Sequence, residues 1–271
     1  MRGVEVRMTR APNFVSTAWL SARLSGDVVI MDCRPPFFHA QGHVPGAVNL
    51  PLFLIAGAES AEAISARVGQ AGISRGDPLV LYDDGASPTA SHVAFLLEGI
   101  GHPSVSVLDG GITKWARDGF DVDYSPVVLP AADYGSPTSI PGIAASTDEV
   151  LQALSDPATV IVDVRHPSEY LGVQHTARKN GHIPGAINID WTNNLESTEG
   201  VPRLHSTEDL KRLYADAGVT PDKHVIVHCQ SGSRSTFTWL VLKSLGYENV
   251  SNYAAGWQEW GNRPDTPVEE A

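Results

Sequence analysis

The chain has little cysteine and no long apolar run. Its two cysteines, Cys33 and Cys229, are too few for a disulfide framework and suit a reducing compartment, so we expect a cytoplasmic protein. No stretch approaches the roughly 20 apolar residues of a membrane span. The N-terminus has no apolar core of signal-peptide length. We therefore expect a soluble protein without a membrane partner.

Positive charge is also scarce, with 19 Lys and Arg against 31 Asp and Glu and a net charge of −12. Binding to a phosphate backbone depends on clustered Lys and Arg, so nucleic acid is excluded as a partner. The sequence shows no metal-ligand spacing and no glycine-rich phosphate loop, so we expect no metal and no cofactor. An anionic ligand would need a local site.

The length of 271 residues suits two domains, and internal similarity supports this division. Three segments recur in the same order: VVIMDCR at 28–34 with VIVDVR at 160–165, GHVPGAVNL at 42–50 with GHIPGAINI at 181–189, and residues 99–115 with residues 244–260. A stretch rich in Pro, Ser and Gly separates the copies. We predict a first domain at 1–124, a linker at 125–142 and a second domain at 143–271.

Each copy alternates helical and strand patterns, which indicates an α/β fold with a mainly parallel sheet and helices on both faces. Helix starts are predicted at Ser16 and at the capping box Ser146 to Glu149. The predicted strands are 28–31, 47–50, 79–82 and 105–108 in the first copy, and 160–162, 186–189, 225–227 and 250–253 in the second. Ligand sites of such sheets lie at the carboxyl ends of the strands.

Cys229 stands at such an end, between the apolar run 225–227 and a helical pattern. Amides at a helix start are unpaired and the helix dipole is positive there, so a thiolate or an attached anion would be stabilised. The loop also supplies hydroxyl groups, a glycine that can adopt unusual backbone angles and one arginine. We predict an anion cradle formed by Gln230, Ser231, Gly232, Ser233, Arg234 and Ser235.

The first copy keeps this strand, loop and helix but loses the chemistry. The two copies can be aligned on the shared segment that ends in tryptophan, residues 99–115 with residues 244–260. This alignment places Asp84 opposite Cys229 and Thr89 opposite Arg234. We therefore expect one active site per chain and a non-catalytic first domain.

The sequence resembles the tandem-domain rhodaneses, the thiosulfate and 3-mercaptopyruvate sulfurtransferases. The resemblance rests on Asp163 to Arg165, the two GHxPGA turns, the cysteine loop and the closing segment 250–260, in which Ala255 replaces the usual glycine. It implies two tandem rhodanese-like domains and a catalytic Cys229 that carries sulfane sulfur as a persulfide. The implied partners are a small anionic sulfur donor and an acceptor: cyanide, a small thiol or a reduced protein dithiol.

Loop length separates this chemistry from phosphate chemistry. Four residues lie between Cys229 and Arg234, whereas related dual-specificity phosphatases and arsenate reductases have five. The loop ending resembles that of bacterial thiosulfate sulfurtransferases. Glu169 stands where the familiar groups carry a donor-binding arginine, which disfavours 3-mercaptopyruvate and leaves Arg234 to supply charge for thiosulfate. A 3-mercaptopyruvate sulfurtransferase and a non-catalytic sulfur-carrier or interaction module remain the alternatives.

Several neighbours of the loop have supporting roles in this interpretation. Asp163 and Arg165 recur in the first copy, which favours an ion pair or loop brace over orientation of the cysteine loop. Trp257 either closes the core or lies at the site mouth. His228 precedes Cys229 on a strand and should face the opposite side. Lys179, in an insertion absent from the first copy, either attracts anions or is solvated.

Overall fold

The structure, a computed structural model, describes residues 13–85, 87–198 and 200–270. In the first copy the strands and helices follow the predicted alternation. They are β1 Phe14–Val15, α1 Thr17–Ser21, β2 Val29–Asp32, α2 Pro36–Ala40, β3 Val48–Asn49, α3 Leu52–Ala56, α4 Ala61–Gln70, β4 Leu79–Tyr82, α5 Thr89–Gly99, β5 Val105–Leu108 and α6 Gly111–Arg117.

Among the described residues, the second copy repeats most of this order, without a strand equivalent to β1, with a 3-10 turn in place of α3 and with an added hairpin. Its elements are α7 Thr147–Ala153, β6 Thr159–Asp163, α8 Pro167–Tyr170, β7 Ile187–Asn188, a 3-10 turn Trp191–Asn194, β8 Leu195–Thr198, β9 Val201–Leu204, α9 Thr207–Asp216, β10 His224–His228, α10 Ser233–Ser244, β11 Val250–Tyr253 and α11 Gly256–Trp260. The antiparallel hairpin β8–β9 was not predicted. Both predicted helix caps are present: Ser16 accepts the amide of Trp19, and Ser146 and Glu149 form a capping box.

Both large sheets are parallel throughout, with strand order β1-β5-β4-β2-β3 in the first copy and β11-β10-β6-β7 in the second. Successive residues of β4 alternate between two apolar clusters, because strand side chains point to opposite faces. Leu79 and Leu81 pack on the face of the sheet that α5 covers. Val80 and Tyr82 pack on the opposite face, which α1 and α6 cover. The predicted α/β fold with helices on both faces is confirmed.

The two copies share one apolar cluster that contains residues of both, including Cys229. Helices α5 and α10 pack against each other, and the rings of Phe95 and Trp239 meet edge to face with centroids 5.1 Å apart. Glu98 and Lys243 form an ion pair at the same junction. The first copy therefore forms one side of the core that supports the cysteine loop.

The predicted linker has no regular secondary structure but lies against the first copy. The amide of Ala132 bonds to Gly69 of α4, and the amide of Thr138 bonds to Ile100 beyond α5. The Tyr134 hydroxyl lies 2.8 Å from Nδ1 of His102. These contacts give the stretch the form of an ordered strap. No helix of the described residues is long and apolar enough to cross a membrane.

Candidate active site

Cys229 directly follows β10, which lies between β11 and β6 in the second sheet. The residue is buried, with 1% of its surface exposed. Its carbonyl accepts the amide of Trp257 at 2.9 Å, and the carbonyl of Gln230 accepts the amide of Gln258 at 2.8 Å. The start of the loop is therefore fixed to the first turn of α11 by two backbone hydrogen bonds.

Gly232 gives the loop its tight curvature and has a φ of +82°. A Cβ at this position would lie 2.7 Å from the carbonyl oxygen of Ala254, so only glycine fits without displacement. The Gly232 carbonyl accepts the side-chain amide of Asn252 at 3.3 Å. Helix α10 begins at the next residue, and the amides of its first turn have no partners within the helix.

The Ser235 hydroxyl is a polar side-chain group that reaches the sulfur. Its Oγ lies 3.6 Å from Sγ of Cys229 and 3.0 Å from the carbonyl oxygen of Gly232. Ser235 is fully buried, which holds this hydroxyl beside the thiol. Donation from the loop amides of residues 230–235 to the sulfur stays a prediction.

Arg234 makes a contact that the sequence did not reveal. Its Nη1 and Nη2 donate to Oε2 and Oε1 of Glu169 at 2.6 and 2.9 Å, a bidentate ion pair. The hydrogen bond to Glu169 raises the pKa of Arg234. Burial opposes ionisation of Glu169, yet the hydrogen bond and charge of Arg234 lower the pKa of this carboxyl group. The positive charge of Arg234 is thus paired with Glu169, and its contribution of charge to the donor site stays a prediction.

Asp163 and Arg165 form the predicted ion pair, with both side chains fully buried. Arg165 donates Nε and Nη2 to the carboxylate at 2.9 and 2.6 Å and Nη2 to the carbonyl of Gly181 at 2.9 Å. Its guanidinium lies 4.4 Å from the ring centroid of Trp257. The pair thus ties β6, the GHIPGA turn and α11 together behind the cysteine loop.

Two further residues also have defined partners. The His228 ring is buried, with Nε2 3.5 Å from Oδ2 of Asp163, so it packs on the ion pair as the strand alternation predicts. Burial lowers the pKa of His228, which favours the neutral ring. Lys179 donates Nζ to the carbonyl of Thr266 at 2.6 Å, so its ammonium group anchors the inserted segment.

The structure corrects the register between the two copies. The central strands pair in equivalent ways, with Asp32 opposite Tyr82 in the first sheet and Asp163 opposite His228 in the second. Asp83 directly follows β4, and Cys229 directly follows β10. The counterpart of the cysteine is therefore Asp83 and not Asp84. The stretch from this position to the amide that donates to its carbonyl is one residue longer in the first copy, Asp83 to Ile112 against Cys229 to Trp257, and this extra residue misled the sequence comparison.

Asp83 shows what the equivalent loop of the first copy binds. Its Oδ1 accepts the amide of Gly85 at 2.7 Å and its Oδ2 accepts the amide of Ala90 at 2.9 Å. A buried negative group thus sits at the position of the sulfur and is held by amides of the loop and helix start. Burial outweighs these bonds and raises the pKa of Asp83 to about 6.

Comparison with known proteins agrees with this architecture. The profile of the Rhodanese-like domain matches residues 16–118 and 146–263. The chain is 36% identical to a thiosulfate sulfurtransferase of Pseudomonas aeruginosa, over 95% of this chain and 97% of that protein. It is 35% identical to the Azotobacter vinelandii protein of the same name, with the same coverage, and 34% identical to the Corynebacterium glutamicum protein, over 94% and 89%.

Among solved structures, the chain is similar to an anaerobic ergothioneine biosynthesis enzyme from Chlorobium limicola in complex with trimethyl histidine. The TM-score is 0.84 at 24% identity, over 96% of this chain and 70% of that one. The wild-type structure of EanB gives a TM-score of 0.83 at 24% identity, with 96% and 69% coverage. At this identity the likeness establishes the shared fold.

The raised pKa of Asp83 predicts a pH-dependent contribution to stability. A carboxyl group with a pKa of about 6 when folded and ~3.9 when unfolded favours the folded state at low pH. That contribution is lost as the pH rises through 6. The free energy of unfolding of the wild type, relative to Asp83→Asn, should therefore fall by ~2 kcal/mol between pH 4.5 and 7.

Urea unfolding at several pH values measures this difference. Asp84→Asn controls for the loss of one negative charge from the same loop. If the free energies of unfolding of the wild type and of Asp83→Asn differ by a constant amount over this pH range, the raised pKa of Asp83 is contradicted.

Proposed function

Because the chain belongs to the rhodanese family, we propose that it is a thiosulfate sulfurtransferase in which Cys229 carries the transferred sulfur. The observation that supports this most is the loop 229–235, where a buried cysteine lies between a central parallel strand and the start of a helix. Relatives named thiosulfate sulfurtransferase cover nearly the whole chain, which favours an enzyme over a non-catalytic carrier.

In the proposed first half-reaction, the Cys229 thiolate attacks the outer sulfur of thiosulfate. The S–S bond of thiosulfate breaks, sulfite leaves with the bonding electron pair, and a Cys229 persulfide anion remains. In the second half-reaction, cyanide attacks the outer sulfur of the persulfide. Thiocyanate leaves and the thiolate is restored, so charge and atoms balance in both steps.

The proposal assigns the persulfide charge to the amides of residues 230–235 and to the Ser235 hydroxyl, 3.6 Å from Sγ. Support comes from the first copy, where the equivalent loop holds the Asp83 carboxylate by two amides. A ring of four residues between Cys229 and Arg234 is small enough for one sulfur atom. Since Cys229 is only 1% exposed, a donor as small as thiosulfate also fits the site better than a bulky one.

The acceptor in this proposal is cyanide, a small thiol or a reduced protein dithiol. Both cysteines are free thiols, and we place the reaction in the cytoplasm, where thiols stay reduced. Burial and nearby acidic groups raise the pKa of Cys33 well above its usual value, so this second thiol is expected to be inert.

Treatment with thiosulfate should add one sulfur atom to the chain, and cyanide should remove it again. Intact mass spectrometry measures both steps. Cys33→Ser should take up sulfur as the wild type does, whereas Cys229→Ser should take up none. Sulfur uptake by Cys229→Ser, or an unchanged wild-type mass, would disprove the assignment.

Gly232→Ala tests whether the shape of the loop is required. A Cβ would meet the Ala254 carbonyl at 2.7 Å, so we expect the thiosulfate-to-cyanide turnover rate to fall at least ~10-fold as the loop shifts. Gly246→Ala is a matched control, because Gly246 has a φ of +92° with nothing within 4 Å of the added Cβ. Both variants should lose ~1–2 kcal/mol of stability through the left-handed backbone. Equal turnover in the two variants would contradict the role of the loop.

A further inference from the structure

Asn252 is a fully buried polar residue next to the cysteine loop and is the third residue of β11. Strand side chains alternate between the two faces of a sheet, and Val250 belongs to the apolar cluster that contains Cys229. Asn252, two residues later, therefore faces the same side. Its Nδ2 lies 3.3 Å from the carbonyl oxygen of Gly232 and donates to it, because a carbonyl oxygen only accepts.

The backbone of Asn252 is fixed on both sides. Its amide donates to the carbonyl of Ile143 at 2.9 Å, and its carbonyl accepts the amide of Ala145 at 3.0 Å. On the other side it pairs with Val227 of β10, two residues before Cys229. The side-chain amide is therefore presented to the loop from a strand whose position does not depend on the loop.

The other end of this side chain is not satisfied. The Oδ1 of Asn252 is buried and accepts no hydrogen bond from the residues that the structure describes, which costs stability. In the first copy Val107 has the equivalent position, since Leu81 pairs with Val107 as Val227 pairs with Asn252. The strand therefore accepts an apolar residue here, and the stability of the fold does not explain the asparagine.

The carbonyl of Gly232 has a second donor, the hydroxyl of Ser235. The Ser235 Oγ lies 3.0 Å from this carbonyl oxygen and 3.6 Å from Sγ of Cys229, and all three residues are buried. A hydroxyl group has a single proton, so Ser235 donates either to the carbonyl or to the sulfur. Without another donor, a hydrogen bond from Ser235 to the sulfur would leave the buried carbonyl unpaired, which is unfavourable.

We propose that Asn252 is a positioning residue that releases the Ser235 proton for the sulfur anion. This inference rests on the proposed function of Cys229. In the neutral state the thiol donates to the Ser235 Oγ, and Ser235 donates to the Gly232 carbonyl. When the thiol proton passes to solvent, the Ser235 hydroxyl turns to the sulfur and Asn252 alone supplies the donor that the carbonyl requires. The carbonyl keeps a donor in both states, which favours the reactive thiolate.

Asn252→Val tests this role, because it gives the second copy the residue that the first copy has. In a Cys33→Ser background Cys229 is the only cysteine, and its alkylation by iodoacetamide at neutral pH should become ~10-fold slower. This factor corresponds to the loss of one hydrogen bond to a charged group. Sulfur uptake from thiosulfate should slow by the same factor, because both reactions start from the thiolate. Intact mass spectrometry at timed intervals measures both rates.

Stability separates this role from a purely structural one. Asn252→Val removes the unpaired Oδ1, and the Gly232 carbonyl keeps Ser235 as its donor in the thiol state. The urea midpoint of unfolding should therefore equal or exceed that of the parent, although the thiol reacts more slowly. Asn194 is a matched control, since it is also fully buried and its Nδ2 donates to the carbonyl of Trp191 at 2.9 Å. Asn194→Val should lower the midpoint and leave the alkylation rate within twofold.

A double-mutant cycle tests whether Asn252 acts through Ser235. Ser235→Ala should itself slow alkylation ~10-fold, because the sulfur anion loses its hydroxyl donor. Adding Asn252→Val to Ser235→Ala should slow the reaction by less than twofold more. Equal slowing by Asn252→Val in both backgrounds overturns the inference, as does an Asn252→Val rate within twofold of the parent. If Asn252→Val does not fold, Asn252→Ala serves in the same comparison.

These outcomes are distinguishable from a failure of the proposed function. A wild-type chain that takes up no sulfur from thiosulfate contradicts the proposed function, and the alkylation rates still decide the role of Asn252. If the wild type takes up sulfur and Asn252→Val does so at the same rate, the role of Asn252 alone is overturned.

Discussion

One backbone hydrogen bond fixes the functional position in both copies. The amide of Trp257 donates to the carbonyl of Cys229, as the amide of Ile112 donates to that of Asp83. The glycine before each donor has a positive φ, and a Cβ there would lie about 2.5 Å from the accepting carbonyl. The backbone therefore sets the geometry directly after the central strand in both copies. The side chain at this position, Cys229 or Asp83, determines whether the loop has a reactive thiol or a structural carboxyl group.

The charges around this position are arranged in pairs. Asp163 and Arg165 are fully buried, and burial of either charge alone would be strongly unfavourable. The same pair recurs as Asp32 and Arg34 in the first copy, where Arg34 also reaches the carbonyl of Gly42. Because both copies keep this pair, it belongs to the fold. The Arg234–Glu169 pair occurs only in the copy with the cysteine.

Much of the fold follows from sequence because its strands are short apolar runs bounded by turns. Leu79–Tyr82, Val105–Leu108 and Val250–Tyr253 have the predicted bounds. The hairpin β8–β9 was missed because its strands are polar, short and interrupted by Pro202. Asp83 was not recognised as the counterpart of Cys229, because the sequence alone does not show where the longer stretch of the first copy gains its extra residue. Strand pairing supplies that information.

The site was also predictable in part. The sequence singled out the cysteine, the glycine of the loop and the unusual residue at position 169, and their functional roles stay predictions. It did not show that Glu169 and Arg234 meet, since they are 65 positions apart and only the fold brings them together. The sequence assigned Arg234 to the anion cradle, and the structure adds its bidentate contact with Glu169.

The central claim is that the loop of residues 230–235 holds a sulfane sulfur on Cys229. A crystal structure of the protein treated with thiosulfate tests it most directly. We expect one additional sulfur bonded to Sγ of Cys229, with loop amides directed at it within hydrogen-bond distance. An additional sulfur on Cys33, or one on Cys229 that points away from the loop amides, would contradict the account.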